Sequence, residues 1–317
     1  MRTRHRSLAL VAVALLLGAC GMAAVRPPAA APRPLLVFVH GRGHLDRDSS
    51  AVRREWDRAL RMGARELETG ALFDERDVRL VWYADVLDPA SNEGCRRPDE
   101  QASSARTEDA SLLGGARALL GVLAAALDEP QGQREVRGLL GDLLYLADPW
   151  KRCGVEQRLA ATLREAAEAK RPVVLVTHSL GAAVAYRYLR DHEKDAPPVW
   201  RWVTLGAPLG DSQLRALLLG EQESALRMPA AVRSWVNVVR EGDPFAAALA
   251  PLLPSGTGRL TDLVRRAPSG DPHELTNYLR DDETARAILW SWCDAFGSGA
   301  RPEGCGKVTR DVGGTND

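Results

Sequence analysis

One serine in this 317-residue chain stands where its hydroxyl could serve as a nucleophile. Ser179 follows the apolar, mostly β-branched run 173–176 and precedes a segment in which apolar residues recur with helical spacing. The pattern predicts a buried strand, a tight turn at the serine and then a helix. Such a turn would present the hydroxyl for covalent acyl transfer. The other interpretation is a buried serine that caps the helix in an ordinary strand–helix unit.

A second strand end carries glycines. The apolar run 35–39 is followed by His40, Gly41 and Arg42. Glycine at such a place lets the backbone approach a bound substrate closely, although a glycine-rich turn after a strand can also be only a turn. Its position upstream of Ser179 favours a role in the same site.

Elimination leaves one histidine as the base that would activate the serine. His40 and His178 belong to the two strand-end motifs, and His192 would lie roughly 20 Å away along the following helix. His44 could line a pocket, but it precedes the serine, against the usual order of serine, acid and histidine after such a turn. His273 is therefore the candidate base. The alternative is a solvated loop histidine.

An acid is needed to orient the imidazole and to stabilise its charged form. Asp243 follows the strand-like run 234–239, at the carboxyl end where such an acid is expected, and is the first choice. Asp211 and Asp262 are the alternatives, whereas Asp271 is too near the histidine in sequence. An aspartate before a proline is also an ordinary turn signal.

These residues resemble the α/β-hydrolase superfamily, in particular its lipase-like and esterase-like serine hydrolases, over roughly residues 35–296. The motif Thr-His-Ser-Leu-Gly around Ser179 is similar to the nucleophile turn of lipase-like members, with threonine in place of the first glycine. The resemblance implies that the backbone amides of Arg42 and Leu180 bind the oxyanion. The residues expected to support this arrangement are His40, Gly41 and Gly181.

The elements that must position these residues predict an α/β domain. Strand-like runs alternate with amphipathic segments, which favours a doubly wound, mostly parallel sheet with helices on both faces. The runs are 35–39, 78–83, 173–177, 199–205 and 234–239. The resemblance implies a shortened sheet that begins at the third standard strand of α/β-hydrolases.

A helical insertion is predicted over residues 88–170, before the strand that leads to the serine. The segments 112–127 and 136–146 within it are helix-like. One interpretation is a lid over the site. The other, which we favour, is that one helix packs on the sheet and the others extend the core.

The N-terminal residues predict export. Three arginines precede the apolar run 8–17, which is too short to span a bilayer and is typical of a secretory signal peptide, here residues 1–19. His5 falls within this segment, which excludes it as the base. The run ends in Leu-Gly-Ala-Cys, which resembles a bacterial lipobox. That resemblance implies a lipid on Cys20, a tether over 20–34, and a place at the outer membrane of a bacterial envelope, on its periplasmic or surface side. The alternative is an ordinary secretory signal with an incidental cysteine.

Four further cysteines fit an exported chain with two disulfides. Three pairings are possible. We favour Cys95 with Cys153 and Cys293 with Cys305, because each bond would pin a loop-rich stretch. A metal site is the alternative, but the chain has no Cys-x-x-Cys pair and no histidine cluster to support it.

The charge balance excludes one class of partner. Basic and acidic residues number 42 each, and the basic ones are not clustered, so nucleic-acid binding has no support. Acyl transfer through a serine needs no cofactor. We expect one catalytic domain over residues 35–297 and a glycine-rich tail over 298–317.

These patterns predict a serine hydrolase that cleaves small-molecule or lipid esters or thioesters through an acyl-enzyme on Ser179, and that is held at a membrane by an N-terminal lipid. Two alternatives stay open. One is an acyltransferase that uses the same three residues, and the other is a non-catalytic scaffold of the same fold that binds a lipid or a protein.

Overall fold

The centre of the fold is a sheet of six strands that all run parallel. The strands are β1 (Leu35–Val39), β2 (Val78–Val81), β3 (Val173–His178), β4 (Arg201–Leu205), β5 (Trp235–Arg240) and β6 (Leu260–Arg265). Their order across the sheet is β2-β1-β3-β4-β5-β6. The carboxyl ends of all six strands therefore share one edge, and the loops that follow them can meet there.

The computed structural model describes residues 32–42, 44–69, 72–88, 90–95, 141, 144–212, 215–216, 225–254, 259–266 and 270–308. All of them belong to one compact unit, Pro32–Asp317. The predicted signal peptide, Cys20, most of the tether and residues 309–317 of the predicted tail lie outside the described residues.

Within the described residues, helices lie between the strands and after the last one. Those that position the site are α1 (Ser49–Gly63), α2 (Ala84–Leu87), α3 (Pro149–Glu168), α4 (Leu180–Asp191), α5 (Leu275–Arg280) and α6 (Asp282–Asp294). Short 3₁₀ turns occur at Arg65–Leu67, Glu75–Asp77, Pro208–Gly210, Ala250–Leu252 and Glu303–Lys307. Asp48 and Asp148 cap the amino ends of α1 and α3 by accepting backbone N–H groups of the first turn, which satisfies donors that the helix itself leaves open.

Two apolar layers cover the two faces of the sheet. Leu35, Val37 and Val39 of β1 pack with the buried sides of α3 and α4, whereas Leu36 and Phe38 pack with those of α1, α5 and α6. This alternation follows from the pleat of a strand, which sends successive side chains to opposite faces. The predicted α/β architecture, with a parallel sheet and helices on both faces, is confirmed.

Two predicted strand runs are too long and one strand was not predicted, whereas 173–177 and 234–239 agree with β3 and β5 to within one residue. β2 ends at Val81 rather than at residue 83, because the chain turns at residues 82–83 into α2. β4 begins at Arg201, and Val199 forms only an isolated bridge with Val232. β6 was not predicted at all. It lies at the edge of the sheet with mostly half-buried residues, so its sequence lacks the continuous apolar run of the central strands.

The predicted insertion supplies one core helix. Val155, Leu159 and Leu163 of α3 are fully buried in the layer that covers β1 and β3. This supports the interpretation in which a helix packs on the sheet. The segment 112–127 and most of 136–146 lie outside the described residues, so the lid stays an untested alternative to the favoured interpretation.

Both predicted disulfides are present. Cys95 is bonded to Cys153 in α3, and Cys293 in α6 is bonded to Cys305, with Cα atoms 5.7 and 5.6 Å apart. Each bond ties a loop to a helix that covers the sheet. Within the ranges given above, none of the helices is long and apolar enough to span a bilayer.

Candidate active site

Ser179 occupies a strained turn between β3 and α4. Its φ of 51° and ψ of −125° lie outside the regions that L-residues ordinarily adopt. The turn is held from both sides: the Ser179 amide donates to the carbonyl of Leu205 at 3.1 Å, and α4 passes very close to the end of β1. At Gly181 a Cβ would lie 2.4 Å from the carbonyl oxygen of His40, so only glycine fits this crossing. The predicted sharp turn is present.

The predicted serine, histidine and aspartate meet at the carboxyl edge of the sheet. Ser179 Oγ lies 2.9 Å from Nε2 of His273, and Nδ1 of the same ring lies 2.9 Å from Oδ2 of Asp243. The three residues follow β3, β6 and β5 respectively. The structure thus brings together side chains that are 94 and 30 positions apart in the chain.

Asp243 is held as an anion by several donors. Its buried carboxylate accepts hydrogen bonds from Nδ1 of His273, from the hydroxyl of Tyr278 at 2.6 Å and from the amide of Phe245 at 2.9 Å. Burial acts to raise the pKa of Asp243, but these hydrogen bonds outweigh it and the pKa is lowered. A carboxylate held in this way can orient His273 so that Nδ1 carries the proton and Nε2 is free to accept one.

His178 holds the loop that carries His273. Its Nε2 donates to the backbone carbonyl of His273 at 2.8 Å, and the two rings lie 4.8 Å apart. Burial lowers the pKa of His178 to about 3, so the ring is neutral near pH 7. On the other side, the amide of His273 donates to Oδ1 of Asp271 at 2.9 Å. These two contacts fix the backbone of His273 relative to β3.

The loop after β1 packs directly against the serine. A Cβ at Gly41 would lie 2.8 Å from Cβ of Ser179, which requires glycine there. His40 Nδ1 donates to the carbonyl of Gly41 at 2.6 Å, and its Nε2 accepts the amide of Tyr83 at 3.0 Å. Burial lowers the pKa of His40 to about 4. Both ring nitrogens of His40 therefore have backbone partners, in agreement with the exclusion of this residue as the base.

A small cleft lies beside the two predicted oxyanion donors. Its lining includes Arg42 and Leu180, together with Gly41, His44 and Leu87. Leu180 is the first residue of α4, where amides have no carbonyl acceptor within the helix. The oxyanion roles of Arg42 and Leu180 stay predictions.

The mouth of the site carries an aromatic ring. Phe245, whose exposed fraction is 43%, lies 4.6 Å from the ring of His273, measured between centroids. The guanidinium of Arg42 stands 4.9 Å over the same phenyl ring. The loop after β1 and the loop after β5 are thus in contact beside the histidine.

The alternative residues have other roles. Asp262 of β6 accepts hydrogen bonds from Nδ2 of Asn237 and from two backbone amides of the 249–250 turn. Asp211 is exposed at the end of a 3₁₀ turn. His192 ends α4 and its Nδ1 bonds the carbonyl of Tyr188. Asp271 bonds the backbone of His273, not its ring.

Tyr278 and Gly206 are among the contributors to the site that were not predicted. Tyr278 gave no local signal, because its contact with Asp243 joins residues 35 positions apart. Gly206 follows β4 with φ of +58°, and a Cβ there would lie 2.9 Å from Oδ2 of Asp243. A glycine at the carboxyl end of a parallel strand was a usable signal for the second residue.

No protein-family model and no curated protein matches the chain. Within the part of the chain that the structure describes, three or more His, Cys, Asp or Glu side chains do not converge into a possible metal site. Function is therefore inferred from the geometry around Ser179.

Proposed function

We propose that this chain is a serine hydrolase, of carboxylesterase or lipase-like type, that cleaves ester or thioester bonds through an acyl-enzyme on Ser179. One observation carries the proposal: the hydroxyl of Ser179, the imidazole of His273 and the carboxylate of Asp243 form a continuous hydrogen-bonded chain. A serine hydroxyl is a weak nucleophile until an adjacent base removes its proton. The strained backbone of Ser179 supports the same role, since strain clusters at functional sites.

The geometry supports a two-stage reaction. Nε2 of His273 takes the proton as Oγ of Ser179 attacks the acyl carbon, and the imidazolium then gives that proton to the departing alcohol or thiol. In the second stage water attacks the acyl-enzyme, again with His273 as base, and Ser179 regains its proton. Asp243 stabilises the imidazolium in both stages without accepting the proton.

The oxyanion of each tetrahedral intermediate would lie against the amides of Leu180 and Arg42. The amide of Leu180 is at the amino end of α4, where the helix dipole also favours negative charge. Donors of this kind contribute ~3–4 kcal/mol each to transition-state stabilisation. Gly41 and Gly181 support the arrangement because each allows a close backbone approach to the serine turn.

We also propose that the fold is of the α/β-hydrolase type. The nucleophile, acid and base occur in that order along the chain, as in this superfamily. Each follows a strand at the carboxyl edge of an all-parallel sheet.

Export and lipid anchoring complete the proposal. The two disulfides support an oxidising compartment, since such bonds are rare in reducing ones. Attachment through Cys20 would hold the enzyme at the bacterial outer membrane. Expression with a labelled fatty acid tests this: label should enter the wild-type chain and be absent from Cys20→Ala, and label in neither chain would refute the anchor.

Activity-based labelling tests the catalytic role directly. A fluorophosphonate probe should label the full chain and fail to label Ser179→Ala, which should also lose hydrolysis of a short activated ester. Ser50→Ala, an exposed serine at the start of α1, is the matched control and should keep both. Labelling of Ser179→Ala, or no labelling of the wild type, would overturn the proposal. Preferential transfer to added alcohols over hydrolysis would instead identify an acyltransferase.

A further inference from the structure

Tyr278 is buried beside the proposed triad and shares its carboxylate. The side chain comes from α5 and is fully buried. Its hydroxyl donates to Oδ2 of Asp243 at 2.6 Å, the same oxygen that lies 2.9 Å from Nδ1 of His273. Two donors from one short segment, residues 273–278, therefore converge on one oxygen atom. Short hydrogen bonds to a charged acceptor are the stronger class.

The surroundings of Tyr278 fix the direction of its hydroxyl proton. The hydroxyl oxygen accepts the amide of Arg240 at 3.4 Å, so its own proton is directed to Asp243. The guanidinium of Arg240 lies 5.4 Å from the centre of the phenol ring. Burial is the main cause that raises the pKa of Tyr278, and the bond to Asp243 adds to it. The phenol is therefore a donor over the whole working pH range.

We propose that Tyr278 is a positioning residue of this site: its hydroxyl orients Asp243 and withdraws negative charge from it, which sets the pH range in which His273 acts as the base. This inference rests on the proposed hydrolase function. The physical reason is that a carboxylate sharing its charge with a phenol attracts a neighbouring imidazolium less strongly. Tyr278 touches neither the serine nor the substrate, so it acts only through Asp243.

Titratable and charged groups from several elements surround this cluster. His178, at the end of β3, lies 6.1 Å from the ring of Tyr278, and burial lowers the pKa of His178 to about 3. The guanidinium of Arg240 on β5 is buried beside the phenol ring. Asp271, in the same loop as His273, accepts a hydrogen bond from the His273 amide. The guanidinium of Arg42 lies over the ring of Phe245. The residues that α1 and α6 bury include no free titratable side chain.

Tyr278→Phe in the full chain gives the first test. Loss of the donor should lower kcat by roughly ten-fold with KM within about two-fold, because Asp243 is then less well oriented toward His273 while substrate binding is unaffected. The acidic limb of the profile of kcat/KM against pH should move to higher pH by about half a unit or more, because the imidazolium is stabilised further. A loss of rate with an unmoved limb would show a merely structural role and overturn the inference.

Tyr186→Phe is the matched control. Tyr186 is also fully buried, and its hydroxyl bonds the backbone of Arg227 rather than the site. This variant should lose stability as Tyr278→Phe does, while its kcat and pH profile stay at wild-type values. A shift of the acidic limb in the control equal to that in Tyr278→Phe would count against the inference.

Replacement of Tyr278 by 3,5-difluorotyrosine keeps the shape of the side chain and covers the case in which the phenylalanine variant does not fold. The fluorinated phenol is the stronger donor, so the acidic limb should move to lower pH, opposite to phenylalanine. An unchanged limb, or a shift to higher pH, would refute the proposed role.

A spectroscopic measurement separates this inference from the proposed function. The Nδ1 proton of His273, observed by NMR in protein with labelled histidine, should move downfield in Tyr278→Phe and stay unchanged in Tyr186→Phe. That readout needs no turnover. If fluorophosphonate does not label the wild type but the Nδ1 proton moves as expected in Tyr278→Phe, the proposed hydrolase function is wrong and the coupling of Tyr278 to His273 stands. If the wild type is active but the Nδ1 proton does not move in Tyr278→Phe, the hydrolase function stands and the role of Tyr278 is wrong.

Discussion

Gly206 lies directly against the carboxylate of Asp243. A Cβ at Gly206 would lie 2.9 Å from Oδ2 of Asp243 and 3.2 Å from Nδ1 of His273. The residue has a φ of +58°, which L side chains rarely adopt. The turn after β4 therefore forms a wall of the acid–base pair and needs glycine for two reasons, conformation and space.

Gly206→Ala should lose most of the proposed esterase activity. The added methyl group would displace Asp243 or the ring of His273, and small misplacements of catalytic groups reduce rates strongly. Gly297→Ala is the matched control, because Gly297 has a φ of +56° and no atom within 4 Å of the added Cβ. Both variants should lose ~1–2 kcal/mol of unfolding free energy from the left-handed conformation. Equal kcat in the two variants would contradict the expectation.

Asp243→Asn should lower kcat by about 10⁴-fold with a folded protein, as in other triads where asparagine favours the wrong imidazole tautomer. The measurement is hydrolysis of a short activated ester, with circular dichroism to verify the fold. Asp262→Asn is the control: its carboxylate accepts backbone and amide donors at β6, away from the triad, so the change should reduce stability and spare kcat. A greater loss of kcat in Asp262→Asn would assign the acid to β6.

The local parts of this site could be predicted from sequence. Ser179 lies at a change from strand to helix periodicity, and such a change is visible in a short window. His273 and Asp243 required elimination and the expectation that carboxyl ends of parallel strands meet at one edge. Each of these three residues could be identified because the sequence pattern of its own segment is informative.

The parts that could not be predicted depend on distances between segments. Tyr278 occurs in a short helix whose sequence gives no sign that its hydroxyl faces a carboxylate of another loop. His178 was set aside as a candidate base, and only the structure shows that it bonds the carbonyl of His273. β6 was missed because an edge strand of mostly half-buried residues carries a weak apolar pattern.

Buried histidines should make stability depend on pH. Burial lowers the pKa of His40 to about 4 and that of His178 to about 3, below the unfolded value of 6.5. The unfolded chain therefore binds more protons, so stability is fully present above pH 6.5 and is lost as the pH falls toward 4 and 3. Protonation linked to each of these two histidines should reduce the free energy of unfolding by on the order of 1–2 kcal/mol between pH 7 and pH 5. Urea titrations at both pH values measure this.

His178→Gln isolates one of these contributions. A glutamine amide can still donate to the carbonyl of His273 from the place of Nε2, but it does not titrate. The variant should unfold with a shallower dependence of its free energy on pH between 7 and 5 than the wild-type chain. Identical slopes in the two proteins would show that protonation of His178 is not linked to unfolding.

The two disulfides should differ in what they contribute. Cys95 and Cys153 close a loop over 58 positions, whereas Cys293 and Cys305 close one over 12. Because a crosslink limits the unfolded chain more when its loop is longer, Cys95→Ala with Cys153→Ala should lose roughly 4 kcal/mol, and Cys293→Ala with Cys305→Ala about 3 kcal/mol. Thermal unfolding under non-reducing conditions measures the order. Cys293 is buried against the sheet, so its replacement also removes apolar contact. If the second pair of substitutions is the more costly even with Cys293→Val in place of alanine, the loop-length argument does not apply to this chain.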